Sequence, residues 1–232
     1  MTINGSGVTG GGDFKKVVIR GEGSVTTDIR CAEFICRGTS KALGTVQCEQ
    51  MKIAGQATFN SDVTCQDIKV FGQGEFQKNV NAEEMQVWGD AEISGSLKCE
   101  EVRIRGKINV HGDVEAETFI AKGAFKVEGL LNAGTINLSI KNFVGQSEAT
   151  EIGGDKIIVK RKNGVLGLFN KHNLLLAETI EGDDIYLEYT NAKTVRGSNV
   201  TIGPGCDIDK VEYKKEFYVS KDANVKDKQK VN

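Results

Sequence analysis

The sequence predicts an all-β protein, a three-sided, right-handed parallel β-helix with about 17 residues per turn. Two observations carry the repeat. Glycine recurs in strict register at Gly21, Gly38, Gly55, Gly72, Gly89, Gly106 and Gly123, seventeen residues apart. Around those glycines one stretch returns: CAEFICRG (31–38), CEQMKIAG (48–55), CQDIKVFG (65–72), AEEMQVWG (82–89), CEEVRIRG (99–106) and AETFIAKG (116–123). A third observation gives the strand type, because apolar residues alternate within each stretch, the period of a half-buried strand.

A unit this short cannot bury its own apolar face, so stacking of units must supply the core. Residues 1–13 are glycine-rich and are expected to be a flexible tail. Residues 14–145 carry the regular coils. Four inward columns run through them. Val25, Ala42, Phe59, Phe76, Ile93, Val110 and Val127 form one, and Ile29, Val46, Val63, Val80, Leu97, Val114 and Leu131 another. Phe34, Met51, Ile68, Met85, Val102, Phe119 and Ile136 form the next, beside Cys36, Ile53, Val70, Val87, Ile104, Ala121 and Leu138. Each repeat thus offers three short strands separated by corners. The right hand follows from the general bias of parallel crossovers. With one inter-strand spacing per turn, this stack should be on the order of 40 Å long.

Past Leu138 the pattern loosens: EIGGDKIIV (151–159), TIEGDDIYL (179–187) and TVRGSNVTIG (194–203). Residues 146–219 are read as continuing, irregular coils. The extra length between Ile152 and Ile180 is an insert near 161–173, RKNGVLGLFNKHN. Its basic flanks with Val165, Leu166, Leu168 and Phe169 make it a candidate membrane contact, against a bland reading as a loop packed on the wall. Residues 220–232 are polar and are expected to be a disordered tail.

Composition narrows the function. Aromatics are 6% of 232 residues, so the core must be aliphatic, and 28 glycines with a lone proline suit regular tight corners. A net charge of −2 gives no push toward nucleic acid. MTINGSGVTGGGDFKK has no apolar run of a secretory signal, and no run approaches the roughly 18–20 residues of a bilayer span. The expected location is the cytoplasm, with free thiols.

Cys31, Cys48, Cys65 and Cys99 share a column with Ala82, Ala116 and Ala133, so the position wants a small side chain and the ladder reads as structural core. Metal would call for CxxC or Cys/His spacing. Distance alone would permit a disulfide between neighbouring turns, though a reducing cytosol opposes it. Cys36 reads as core, and Cys206 stays open. Glu33, Glu49, Asp67, Glu83, Glu84, Glu100, Glu101 and Glu117 line one corner, beside Lys52, Lys69 and Arg103. They repeat evenly, without the distinguished pair a glycosidase needs, and read as a solvated edge. GSGVTGGG lacks the Gly-Lys-Ser/Thr ending of a phosphate loop, and His111 and His172 belong to no triad. The chain is therefore expected not to be an enzyme, with no catalytic, cofactor or metal residue. Phe71 and Trp88 fall on an outward column between Arg37 and Arg105 and are candidates for a lateral or partner contact.

KVVIRGEGSV (16–25), GDVEAETFIAKGAFKVEGLLNA (112–133), IEGDDIYLEYTNAK (180–193) and VRGSNVTIGPGCDIDKVEY (195–213) resemble the bactofilin family, especially its Bacillus type. The resemblance covers most of residues 14–213. It implies a right-handed parallel β-helix that polymerises end to end without nucleotide, lies along the inner membrane and scaffolds envelope or appendage machinery. The partners implied are the chain itself, a related bactofilin and the inner face of the membrane. This chain is longer than a single-core bactofilin and carries the insert. Neither end shows a capping helix, and an uncapped β-helix invites another copy. The alternatives are a non-polymerising adaptor using Phe71 and Trp88, a carbohydrate-active β-helix, and a hexapeptide acyltransferase. The last would need about 18 residues per turn and a catalytic histidine.

Overall fold

A computed structural model of the chain describes residues 1–140, 146–161 and 174–232. Among the described residues every regular element is a β-strand, and every strand pairing is parallel. The strands stack as a solenoid of about 12 turns with roughly 17 residues per turn. Each regular coil is an eight-residue strand followed by a four-residue strand, such as Ile29–Cys36 and Thr39–Ala42. The next coil repeats this as Val46–Ile53 and Gln56–Phe59. Pairing runs in register, Ile29 to Val46 to Val63 to Val80, as the glycine spacing requires.

The three short strands expected per repeat are built from two elements. Within the eight-residue strand the pairing steps from Cys31–Cys48 to Glu33–Gln50 and leaves Ala32 and Glu49 out. The same step falls between Cys65–Ala82 and Asp67–Glu84. A bend at this position turns one strand through a corner and gives the cross-section its extra side.

Every residue of the four predicted columns is buried. A fifth inward column escapes the sequence pattern: Ser40, Ala57, Gly74, Ala91, Ile108 and Phe125. Its residues trade size with their neighbours. Gly74 leaves room for Phe76, whose ring lies 3.1 Å from where a glycine Cβ would be. Phe76 stacks on Phe59 with centroids 5.0 Å apart, and Phe125 meets Phe119 edge-on at 5.4 Å. Each fully buried large side chain stabilises the fold by about 1.5–3 kcal/mol relative to leaving it in water.

Close approach explains the glycine register. A Cβ at Gly38, Gly55, Gly72, Gly89, Gly106 or Gly123 would overlap the carbonyl oxygen of the glycine one turn earlier. The corner opposite is held by polar side chains that accept an N–H from the next turn. Asp28 Oδ1 accepts from Thr45 N at 2.8 Å, Asp62 Oδ1 from Asn79 N at 3.0 Å, and Asn79 Oδ1 from Ser96 N at 3.0 Å. Asp113 Oδ1 accepts from Leu130 N at 2.8 Å.

Beyond Val114–Ala121 the strands lengthen to Ala124–Ile140, Ser147–Arg161, Leu175–Leu187, Thr190–Ile202 and Asp207–Val219. Ile152 pairs with Ile180, Ile180 with Val195, and Val195 with Val211, so the coil length varies while the stack continues.

Both terminal expectations need correction. Residues 1–13 contain the strands Thr2–Ile3 and Ser6–Thr9 and the start of Gly12–Ile19, paired parallel to the coils that follow. Ile3 is buried in the core, and Gly5 turns the chain with φ of 81°. The stretch 220–232 contains the strand Asn224–Lys230, paired with Asp207–Val219. It buries almost nothing. Its hold comes from the neighbouring backbone, from Asn224 Nδ2 donating to Asp207 at 2.8 Å, and from Lys226 on Asp209 at 2.6 Å. Low apolar content conceals a strand whose partner is already folded.

Candidate functional site

Surfaces rather than a cleft carry the chemistry of this molecule. At the first coil, Thr2–Ile3 pairs only with Gly12–Ile19, and Ser6–Thr9 only with Glu22–Val25. Among the described residues their other edges have no partner. Gly5 and Thr9 carbonyls accept from Glu22 and Thr26. Alternate residues of a strand turn their amide groups to opposite sides, so Ser6 and Val8 turn theirs to the open edge. The Val8 side chain is 75% exposed. At the last coil the edge strand is NVKDKQK, rich in charge. Behind it Tyr213 stacks on Phe217 at 5.1 Å, with Lys228 Nζ 5.7 Å from the Phe217 ring.

Phe71 and Trp88 come together as the column spacing demands. Their rings stack at 4.6 Å and 7° on adjacent turns, with Phe71 43% exposed. Cations close the stack at both ends: Lys52 Nζ lies 5.2 Å from Phe71 and the Arg105 guanidinium 5.9 Å from Trp88. Sequence spacing alone did not identify Lys52 as a partner, because it approaches from the adjoining column. The residues Val165, Leu166, Leu168 and Phe169 lie outside the described residues, as does His172.

All of the cysteines are free. Cys31, Cys65 and Cys99 are buried at the bend, and Cys48 is half-buried there. The bend gives the thiols a role beyond size. Cys65 Sγ donates to Asp67 O at 3.2 Å, and Cys99 Sγ to Glu101 O at 3.1 Å, meeting carbonyls where the strand turns. Cys48 Sγ donates to Cys65 Sγ at 3.1 Å. Burial pushes the Cys99 thiol up to about 12. Cys206 is buried too, its thiol raised to about 11 by the same cause.

The acidic corner is laced with cations. Arg103 reaches Glu101 at 2.5 Å and Glu84 at 3.8 Å, and Lys16 reaches Glu33 at 2.5 Å. Exposed pairs of this kind contribute about 0–1 kcal/mol each. His111 stands between Glu128 at 3.0 Å and Glu92 at 3.3 Å. Among the described residues no group of His, Cys, Asp and Glu is placed to hold a metal ion. No helix of the described residues is long and apolar enough to cross a membrane.

Known proteins supply the rest. Residues 1–81 match the bactofilin family model, described as polymer-forming cytoskeletal. The uncharacterized protein YhbF of Bacillus subtilis (strain 168) is 41% identical over 102 residues, covering 44% of this chain and 42% of that protein. The uncharacterized protein YhbE of the same organism is 44% identical over 98 residues, covering 41% of this chain and 40% of its own. The chain thus matches about two-fifths of the length of each relative. No solved structure matches. The stretch that matches the bactofilin family model, residues 1–81, spans the coil with the open edge, the adjoining thiols and Phe71.

Proposed function

We propose that this protein is a cytoplasmic scaffold that assembles with copies of itself, without nucleotide, through the strand edges at the ends of its solenoid. One observation carries the reading most: the family match described as polymer-forming falls on residues 1–81, which include the first coil, whose outer strand edge has no partner among the described residues. A parallel stack that ends without a cap leaves a row of donors and acceptors, and another strand is the partner that satisfies them all. Such a polymer would organise cell-envelope or motility-associated machinery. A related bactofilin could co-assemble through the same edges, and the insert near 161–173 would rest on the inner membrane face.

The test is negative-stain electron microscopy of the purified full chain over a concentration and salt series, without nucleotide. Filaments or sheets are expected. Uniform single rods at high concentration would overturn self-assembly. The stacked Phe71 and Trp88 favour a second reading, a non-polymerising adaptor. An exposed aromatic pair between two cations suits a partner that offers carboxylates around an apolar centre. Replacing both rings with serine would then abolish partner capture and leave the chain's own assembly state unchanged.

A further inference from the structure

We infer that Cys31, Cys48 and Cys65 form an oxidisable thiol column in which hydrogen peroxide closes one intrachain disulfide, always with Cys48 as a partner. The site is independent of the scaffold reading. These thiols occupy consecutive turns of one column, Cys31 in register with Cys48 and Cys48 with Cys65. Neighbouring strands put in-register Cα atoms about 4.8 Å apart, inside the roughly 4.4–6.8 Å that a disulfide spans. Cys48 Sγ already lies 3.1 Å from Cys65 Sγ. Cys31 and Cys65 are separated by two turns, about 9.6 Å, beyond the roughly 7 Å limit. The middle thiol is therefore obligatory.

Access and charge favour the same end of the column. Cys48 is half-buried, and two shallow grooves meet at it. One is lined by Cys31 and Cys48 with Lys15, Arg30, Asp13 and Glu49, so the first thiol opens onto a groove with charges of both signs. The single Cys48 S–H, given to Cys65 in the resting column, turns to Cys31 when Cys31 ionises. That hydrogen bond, with the N-terminal ammonium, holds the Cys31 thiol below the usual range, while the sharing pushes the Cys48 thiol up. The first thiolate of the column therefore belongs to Cys31.

The chemistry balances within the column and one oxidant. The Cys31 thiolate attacks a peroxide oxygen, the O–O bond breaks, and the departing hydroxide leaves as water after taking up a proton. Cys31 is then a sulfenic acid. The Cys48 sulfur displaces its hydroxyl, the S–O bond breaks, and a second water leaves. Two thiols are oxidised to one disulfide and one peroxide is reduced to two waters. Attack of Cys65 on Cys48 then moves the disulfide one turn along the column, releasing Cys31.

Cys99 is the internal control. It shares the column, but its in-register neighbours are Ala82 and Ala116. The test treats the reduced full chain with hydrogen peroxide, alkylates the remaining thiols and maps peptides without reduction. A linked peptide pair containing Cys48 is expected, with Cys99 still alkylated. Cys48→Ser should abolish every disulfide of the column. Cys31→Ser should still allow the Cys48–Cys65 link but form it several-fold more slowly, since oxidation must then start at a thiol without the lowered pKa. Cys65→Ser should form the Cys31–Cys48 link at the native rate. A Cys31–Cys65 link in Cys48→Ser, oxidation of Cys99 as fast as the others, or links only between chains would overturn the proposal. So would a native chain that forms no disulfide at a peroxide dose that oxidises the urea-unfolded chain. The two flanking variants keep the test decisive if Cys48→Ser does not fold.

Discussion

His111 shows how much a single side chain takes from the register of the coils. Its ring touches Glu128 one turn ahead and Glu92 on the turn behind, and Lys126 joins the group through Glu128 and Glu148. The Glu128 hydrogen bond, then the Glu92 bond, raises the His111 pKa above its ordinary value of 6.5. A folded pKa raised above the unfolded one stabilises fully below the unfolded value, and the contribution is lost as pH rises through the folded value. The group is exposed, so the effect on stability is small, but the titration is directly visible. In a proton NMR titration the His111 ring should titrate above 6.5, and Glu128→Gln should bring it back toward that value. A ring that titrates at or below 6.5 in the native chain would mean that the carboxylates do not face it in solution. In the sequence His111 was legible only as a corner residue. Its partners sit 17 and 19 positions away, and only the stack brings them near.

At the scale of the coil, size and backbone approach decide which positions tolerate change. A Cβ at Gly89 would overlap the backbone of Gly72 and Phe71 in the turn below. Gly89→Ala must therefore push two coils apart, a strain of about 1–3 kcal/mol. Cys65→Ala works in a column that already accepts Ala82 and Ala116, and should cost about 1 kcal/mol or less. Urea denaturation of the two variants checks the order: a clearly lower midpoint for Gly89→Ala and a midpoint near wild type for Cys65→Ala. The reverse order would sink the steric account of the glycine register. The same physics explains what was legible in the sequence. The glycine column admits one residue type, and four inward columns admit only apolar ones, so their period shows through. The column from Ser40 to Phe125 admits anything from glycine to phenylalanine as its neighbours change size, so its period is hidden. The corner ladder of Asp28, Asp62, Asn79 and Asp113 was missed because any short acceptor serves there. The ring stack of Phe71 and Trp88 followed from spacing, whereas the Cys48–Cys65 contact needed side-chain directions that spacing does not give.

Across the whole molecule the two edge strands differ in kind, and that difference predicts which contacts between copies form. Ser6–Thr9 reads SGVT, with no charged side chain and an exposed valine. Asn224–Lys230 carries lysines at 226, 228 and 230 and an aspartate at 227, and lysine along an edge opposes pairing with another edge. Two first-coil edges can meet without bringing like charges together, while two last-coil edges set lysines against lysines. In an extended polymer each contact therefore uses a first-coil edge, which takes the last coil of the next copy head to tail. Proline at Val8 tests this at one atom. Val8 turns its N–H away from Glu22–Val25, so the substitution removes an outward donor and leaves the internal ladder intact. Its side chain is already exposed, so little packing is lost. Val8→Pro should keep the wild-type melting temperature in circular dichroism and raise the concentration at which light scattering detects assembly by roughly tenfold, the equivalent of about 1.4 kcal/mol. Charge screening gives a second handle, since added salt should leave first-coil contacts almost unchanged while easing any contact between two lysine-rich edges. A Val8→Pro protein that assembles as readily as wild type, with assembly strongly promoted by salt, would transfer the interface to the last coil.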